Sequence, residues 1–239
     1  MTQPATLILI PGLLCDAAVW EPQVSALANL ARVEVADHGT LDSLGAMAEA
    51  ILAKAPARFA LAGHSMGGRV AFEVMRRAAG RVRALAILDS GCTPLAAGEA
   101  GARETAGRWR LAALARSAGM RAMAEEWLKI MIHPARASDT ALKATVLEMF
   151  ERRTPVIFEA QIRALLARPD ARPVLPTIAC PTLVLCGRDD AWATLAQHEE
   201  MAALIPGSRL LAIADCGHMS TLERPEAVSA AMRVWLENS

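Results

Sequence analysis

The strongest constraint on the fold is an alternation along the chain. Short, continuously apolar runs at Thr6–Ile10, Val33–Ala36, Phe59–Gly63 and Leu85–Leu88 are separated by Ala17–Ala31, Leu44–Ala55 and Met66–Ala79, where apolar residues recur at a spacing near 3.6. Runs of that length without polar alternation suit strands buried on both faces of a parallel sheet, and the intervening segments suit amphipathic helices. Strand–helix–strand order predicts an α/β fold with right-handed crossovers and a mostly parallel sheet flanked by helices. After Leu88-Asp89-Ser90 the alternation stops. From Pro94 to Asp170 the pattern is helical only, with stripes at Leu111/Leu114/Ala118, Met123/Trp127/Met131, Leu142/Val146/Met149/Phe150 and Ile162/Leu165/Leu166, punctuated by Gly119, Pro134, Pro155 and Pro169. The alternation then resumes with Pro181–Cys186, Thr194–Leu204, Leu210–Ala214 and Pro225–Glu237. The expected organisation is a core formed by residues 1–92 and 171–239, interrupted by an all-helical cap insertion at 93–170.

The chain has 239 residues, 25 Lys+Arg against 25 Asp+Glu, 54% hydrophobic residues and no Tyr. Neutrality removes the basic footprint of nucleic-acid binding, and the missing Tyr removes tyrosine chemistry. The longest uncharged stretches, Met1–Cys15 and Pro173–Gly187, are too short and proline-broken to span a bilayer, which needs about 20 apolar residues. The amino terminus has no basic flank and no small-residue cleavage site, so no signal peptide is expected. Cys15, Cys92, Cys180, Cys186 and Cys216 have no ligand-pair spacing. Reduced thiols in a cytoplasmic protein are expected, and no metal site.

Gly63-His64-Ser65-Met66-Gly67-Gly68 stands directly after a strand run and before a helical one. This is the strand–turn–helix setting of a G-x-S-x-G nucleophile elbow, in which a strained turn presents the serine oxygen above the sheet and the helix start supplies N–H groups for a developing oxyanion. A serine needs a base, and the base needs an orienting acid. His218 lies after the last strand run, and Asp189 and Asp190 lie after Pro181–Cys186. The carboxyl ends of parallel strands share one sheet edge, so these loops converge on Ser65. His64 lies on the elbow pointing away from the site, and His38, His133 and His198 read as structural or solvated, His198 on a surface-like helix.

These residues, with the Ile10-Pro11-Gly12-Leu13-Leu14 turn, the Cys-Pro-Thr-Leu-Val-Leu run into Gly-Arg-Asp-Asp, and Gly-His followed by Leu222-Glu223-Arg224-Pro225-Glu226, resemble the α/β-hydrolase superfamily, in particular its small-esterase branch. The resemblance covers nearly the whole chain. It implies the α/β-hydrolase fold with a helical cap, and a triad of Ser65, His218 and Asp190. Asp189 is the runner-up acid, and Asp89 a third position used by some members. It further implies oxyanion donors at the amides of Leu13 and Met66, and no metal or organic cofactor. Pro11 stands where the family often has His, which leaves the backbone donor intact. The usual proline after the acid is replaced by Ala191-Trp192-Ala193-Thr194.

The leading functional expectation is hydrolysis of a small or medium carboxylic ester or lactone through an acyl-enzyme on Ser65. The alternatives are a C–C or enol-lactone hydrolase with the same triad acting on a carboxylate-bearing substrate, and a non-catalytic ligand receptor. Candidates to line the acyl pocket are Leu14, Trp109, Met123, Trp127, Met131, Trp192 and Met219. Zero net charge and the absence of Tyr predict an aliphatic, methionine-lined pocket for a neutral small-molecule ester, with neither nucleic acid nor membrane as partner; monomer and homodimer stay open. Pulling the other way, residues 93–170 carry 12 basic against nine acidic residues. Arg103 or Arg108 would then meet an anionic substrate, although most of these arginines belong to solvated helix faces.

Overall fold

The computed structural model describes residues 5–239, so the first four residues of the uncharged amino-terminal stretch lie outside the described residues. In chain order the elements are β1 (Thr6–Ile10), α1 (Glu21–Leu27), β2 (Arg32–Val35), α2 (Leu44–Lys54), β3 (Phe59–His64), α3 (Met66–Ala78), β4 (Val82–Leu88), α4 (Gly98–Leu128), α5 (Thr140–Glu151), α6 (Pro155–Leu166), β5 (Thr182–Gly187), α7 (Leu195–Leu204), β6 (Arg209–Ile213), α8 (Ser220–Glu223) and α9 (Pro225–Glu237). The six strands form one sheet in the order β2-β1-β3-β4-β5-β6, and all five pairings are parallel. Every residue of β3 and β5 is buried, which is why their sequences show no polar alternation, while the edge strands β2 and β6 keep partly exposed positions. α1 packs on α9 and α2 on α3.

Strand order reverses between β1 and β3: the chain moves outward from β1 to β2, then returns to build the rest of the sheet from β3. In open α/β sheets a ligand crevice forms outside the carboxyl ends of the strands at this switch point. The helical insertion of α4, α5 and α6 follows β4 and precedes β5. It reaches the strand-end loops directly, since Gln161 of α6 accepts the Leu14 amide at 2.8 Å and Arg153 donates to the Cys15 carbonyl at 2.8 Å. α4 breaks at Gly119, whose φ of 90° and ψ of 165° suit a residue without Cβ.

Two boundaries differ from the sequence pattern. β4 starts at Val82, ahead of the expected Leu85, because Val82 and Ala84 pair with Phe59 and Ala60 and the charged Arg83 interrupts the apolar run. The expected Ala17–Ala31 helix is a 3-10 turn over Ala17–Trp20, capped by Asp16 on the Ala18 amide, followed by α1 with Pro22 in its first turn. All five cysteines are unpaired. Among the described residues no helix is long and apolar enough to cross a membrane.

Candidate active site

Ser65 sits between β3 and α3 with φ 55° and ψ −118°, a conformation that costs a non-glycine residue of order 1–3 kcal/mol. The surroundings enforce it. A Cβ on Gly63 would collide with the Gly67 carbonyl, and one on Gly67 with the Ile10 carbonyl, so α3 packs against β3 and β1 only through glycine. The Ser65 amide donates to the Leu88 carbonyl at 2.9 Å, and the Ser65 carbonyl accepts from Ser90 Oγ at 2.7 Å. The other non-glycine residues with positive φ are Leu14, Asp89 and Asp215, in the loops leaving β1, β4 and β6. Among the described residues, non-glycine positive φ is therefore confined to one edge of the sheet.

At that edge three side chains form a hydrogen-bonded chain. Ser65 Oγ lies 2.9 Å from His218 Nε2, and His218 Nδ1 lies 2.7 Å from Asp190 Oδ2. With Nδ1–H donating to Asp190, Nε2 is left to accept from the serine hydroxyl. Asp190 is fixed in turn, its Oδ1 accepting the amides of Trp192 at 2.7 Å and Ala193 at 2.9 Å. Burial works against its charge, but His218 and the two amides outweigh burial and hold the carboxyl below its ordinary range. Burial likewise disfavours the His218 imidazolium, and Asp190 overrides it, leaving His218 above its usual value. Asp189 points outward, 45% exposed and 3.5 Å from His133 Nε2.

Asp89 lies fully buried beside this chain. Its carboxyl accepts the Gly187 amide at 3.0 Å, hydrogen-bonds Ser220 Oγ and stands 3.5 Å from His64 Nε2. Burial, then repulsion from Asp190, pushes it up to about 8, so it is largely protonated at neutral pH. His64 points away from the cavity, as expected, and Nε2 donates to the His218 carbonyl at 2.9 Å; burial takes its pKa down to about 4 and keeps it neutral.

The His218 loop is clamped to the helical insertion. The buried Glu223 carboxylate accepts the Gly217 and Met219 amides at 3.1 Å each and the His133 amide at 2.7 Å. The His218 amide donates to the Met131 carbonyl at 2.9 Å. His198 departs from the surface reading: it is fully buried, its Nδ1–H donating to Thr194 O and its Nε2 accepting the Ser90 amide at 3.0 Å. Ser90 passes that support to the Ser65 carbonyl.

A cavity of about 570 Å³ opens on Ser65 and His218. Leu13 and Met66, the candidate oxyanion donors, line it, and so do Trp127 and Trp192. The other pocket candidates lie elsewhere. Leu14 is turned into the core at φ 62° with its amide on Gln161, Met123 and Met219 are fully buried, and Met131 is buried where its carbonyl holds the His218 loop. Trp109 is 37% exposed on α4, away from the cavity wall. The expected methionine-rich wall is corrected as well. Met66 is the one methionine lining the cavity among the described residues, while Arg69, Arg103, Arg108, Arg168 and Glu104 reach it. Arg69 was legible in principle, because a residue four after the nucleophile on a helix lies one turn along the same face.

The sequence profile of the alpha/beta hydrolase family matches residues 7–231. The chain belongs to that family. A pimeloyl-[acyl-carrier protein] methyl ester esterase of Nitrosomonas europaea is 26% identical over 237 residues, covering 92% of this chain and 91% of that protein. A thermophilic esterase from Thermogutta terrifontis superposes with a TM-score of 0.86 at 27% identity, over 100% of this chain and 91% of that one. An enol-lactonase from Burkholderia xenovorans LB400 gives 0.85 at 26% identity, over 99% and 92%. Hydrolase chemistry is the common ground of these relatives.

Proposed function

We propose that this chain is a serine hydrolase that cleaves a small carboxylic ester or lactone through an acyl-enzyme on Ser65. The observation carrying this reading is the Ser65–His218–Asp190 hydrogen-bonded chain opening onto a cavity. His218 Nε2 takes the Ser65 proton as Oγ attacks the acyl carbon, and Asp190 stabilises the imidazolium and holds its tautomer. The tetrahedral oxyanion is received by the amides of Leu13 and Met66; Met66 opens α3, so its N–H has no partner within the helix. Collapse expels the alcohol with a proton from His218. Water then attacks the acyl-enzyme with His218 again as base, releasing the acid and restoring Ser65.

Support comes from burial as well as distance. The base and acid are 2% and 3% exposed while the serine faces the cavity, so charge forming on His218 is met by Asp190 rather than by water. The test is hydrolysis of short-chain p-nitrophenyl esters by wild type, Ser65→Ala and His218→Ala. Each variant is expected to lose roughly 10⁴-fold or more in kcat, as concerted triads do. Absent turnover by wild type overturns the esterase reading, and a Ser65→Ala variant keeping most of the rate overturns the nucleophile.

A further inference from the structure

The cavity wall beyond Ser65 is built of guanidinium groups that the fold leaves short of negative charge. Arg69, on α3 one helical turn past Ser65, donates Nη1 to the Thr93 carbonyl at 2.8 Å and has no carboxylate within ion-pair distance among the described residues. Arg108 is buried, shares Glu104 through contacts of 2.9 and 2.8 Å and lies 5.4 Å over the Trp192 ring. Arg168 is also buried and fully committed. It grips both Glu104 oxygens at 2.8 Å and donates to the Leu165 carbonyl at 2.9 Å and the Thr93 carbonyl at 3.3 Å. Three guanidiniums thus face one carboxylate, and two positive charges stay uncompensated. Burial, then the charges of Arg168 and Arg108, pulls the Arg69 pKa down to about 9, as expected of a cation without its counter-ion. Glycine at 91 leaves the space the group occupies, since a Cβ there would lie 2.8 Å from Arg69 Nη2.

A charge drawn out of water without a partner is costly, and an arriving anion relieves that cost. Arg168 and Glu104 form the scaffold. Arg69 keeps Nε and Nη2 free and Arg108 keeps Nη1, a donor set that suits the two oxygens of a planar carboxylate. About 6 Å of helix rise separates Ser65 from Arg69, so the anion lies a short chain away from the scissile carbonyl. Resting on the serine-hydrolase reading, we propose that Arg69 and Arg108 form a carboxylate subsite, and that the substrate is an ester or lactone carrying a second, free carboxylate at the end of a short spacer. The neutral, apolar substrate expected from composition is replaced by an anionic one.

The test compares monomethyl glutarate with dimethyl glutarate by pH-stat, and glutarate with glutaramide as inhibitors. Wild type is expected to prefer the half-ester by roughly 10- to 100-fold in kcat/KM, the range set by one well-made charge-assisted contact. Glutarate should inhibit competitively and glutaramide should not, which needs no variant. In Arg69→Met the preference should collapse by tenfold or more, with partial recovery in Arg69→Lys. Equal rates on the two esters together with no inhibition by glutarate overturn the subsite and leave the serine-hydrolase reading standing. If neither ester is cleaved, turnover of the p-nitrophenyl esters judges the hydrolase reading separately. Calorimetric binding of glutarate to wild type, absent in Arg69→Met, then supports the subsite, and no binding to wild type overturns it.

Discussion

Glu223 connects two parts of the molecule that the chain keeps far apart, and removing it tests whether the helical insertion positions the base. Its side chain is 1% exposed, and three backbone N–H groups end on it: Gly217 and Met219 on either side of His218, and His133 in the segment after α4. Glu223→Ala leaves those donors without an acceptor. At about 1–3 kcal/mol for each unsatisfied buried group, partly relieved by entering water, the expected loss is roughly 3–5 kcal/mol. For a chain of this size that lowers Tm by roughly 6–20 °C. Glu223→Gln keeps one oxygen as acceptor but turns an NH₂ towards an N–H, so it should cost about half as much. The charge has a second effect. Glu223 is among the carboxylates that raise His218, and the base works only when neutral, so activity is lost as pH falls through the His218 pKa. Neutralising position 223 should therefore move the acid limb of kcat/KM to lower pH, which loosening of the loop alone does not do. Thermal unfolding and the pH profile of p-nitrophenyl ester hydrolysis read the two effects separately. A Glu223→Ala protein within about 0.5 kcal/mol of wild type, with an unmoved acid limb, refutes the clamp.

Asp190→Asn should reduce kcat by about 10⁴-fold in the same assay, because an amide admits the wrong His218 tautomer, while Asp189→Asn, at an exposed position, should stay within about twofold. A reversed order would assign the acid to Asp189. Gly67→Ala places a methyl on the Ile10 carbonyl and should cost stability by several kcal/mol, read as lower soluble yield and Tm; an unchanged Tm would show that α3 does not need that approach.

What the sequence made legible depends on how local each constraint is. The elbow was readable because its strand, turn and helix are contiguous and Gly63 is dictated by the Gly67 carbonyl four residues on, whereas the Ile10 carbonyl that dictates Gly67 comes from a distant strand. The approach of His218 and Asp190 to Ser65 was readable because parallel strands deliver successive loops to one edge. Pocket residues were not. The α4 stripe holding Met123, Trp127 and Met131 follows one helical spacing, yet Trp127 alone of the three meets the cavity, and periodicity does not distinguish a core contact from a cavity contact. His198 was hidden by its polar neighbours Gln197, Glu199 and Glu200, which give α7 a solvated pattern; only the tertiary contact with the Ser90 amide buries it. The place of Arg69 one turn past Ser65 was legible, but its want of a counter-ion was not, since that comes from Arg108 and Arg168, which the sequence places about 40 and 100 residues later.

Two strand-end carboxylates compete for the role of orienting acid, and electrostatics separates them. Asp190 follows β5 and Asp89 follows β4; both are buried, and Asp190 raises the proton affinity of Asp89. Two like charges at this depth are not both retained. Asp190 holds the charge because His218 and two amides converge on it. Asp89 has a single amide, a hydroxyl and a 3.5 Å contact with His64, too little to offset its burial, and it keeps its proton near neutrality. Burial, then the neighbouring His218, keeps His64 neutral, and it spends its N–H on the His218 carbonyl. Within this buried pair of acids the negative charge is thus concentrated on Asp190, directly on His218 Nδ1. In the proposed reaction an imidazolium forms at that ring and must be lost again within each half-cycle. An ionised carboxylate at position 89 would raise His218 further, and the burial that pushes Asp89 towards its protonated form limits that contribution.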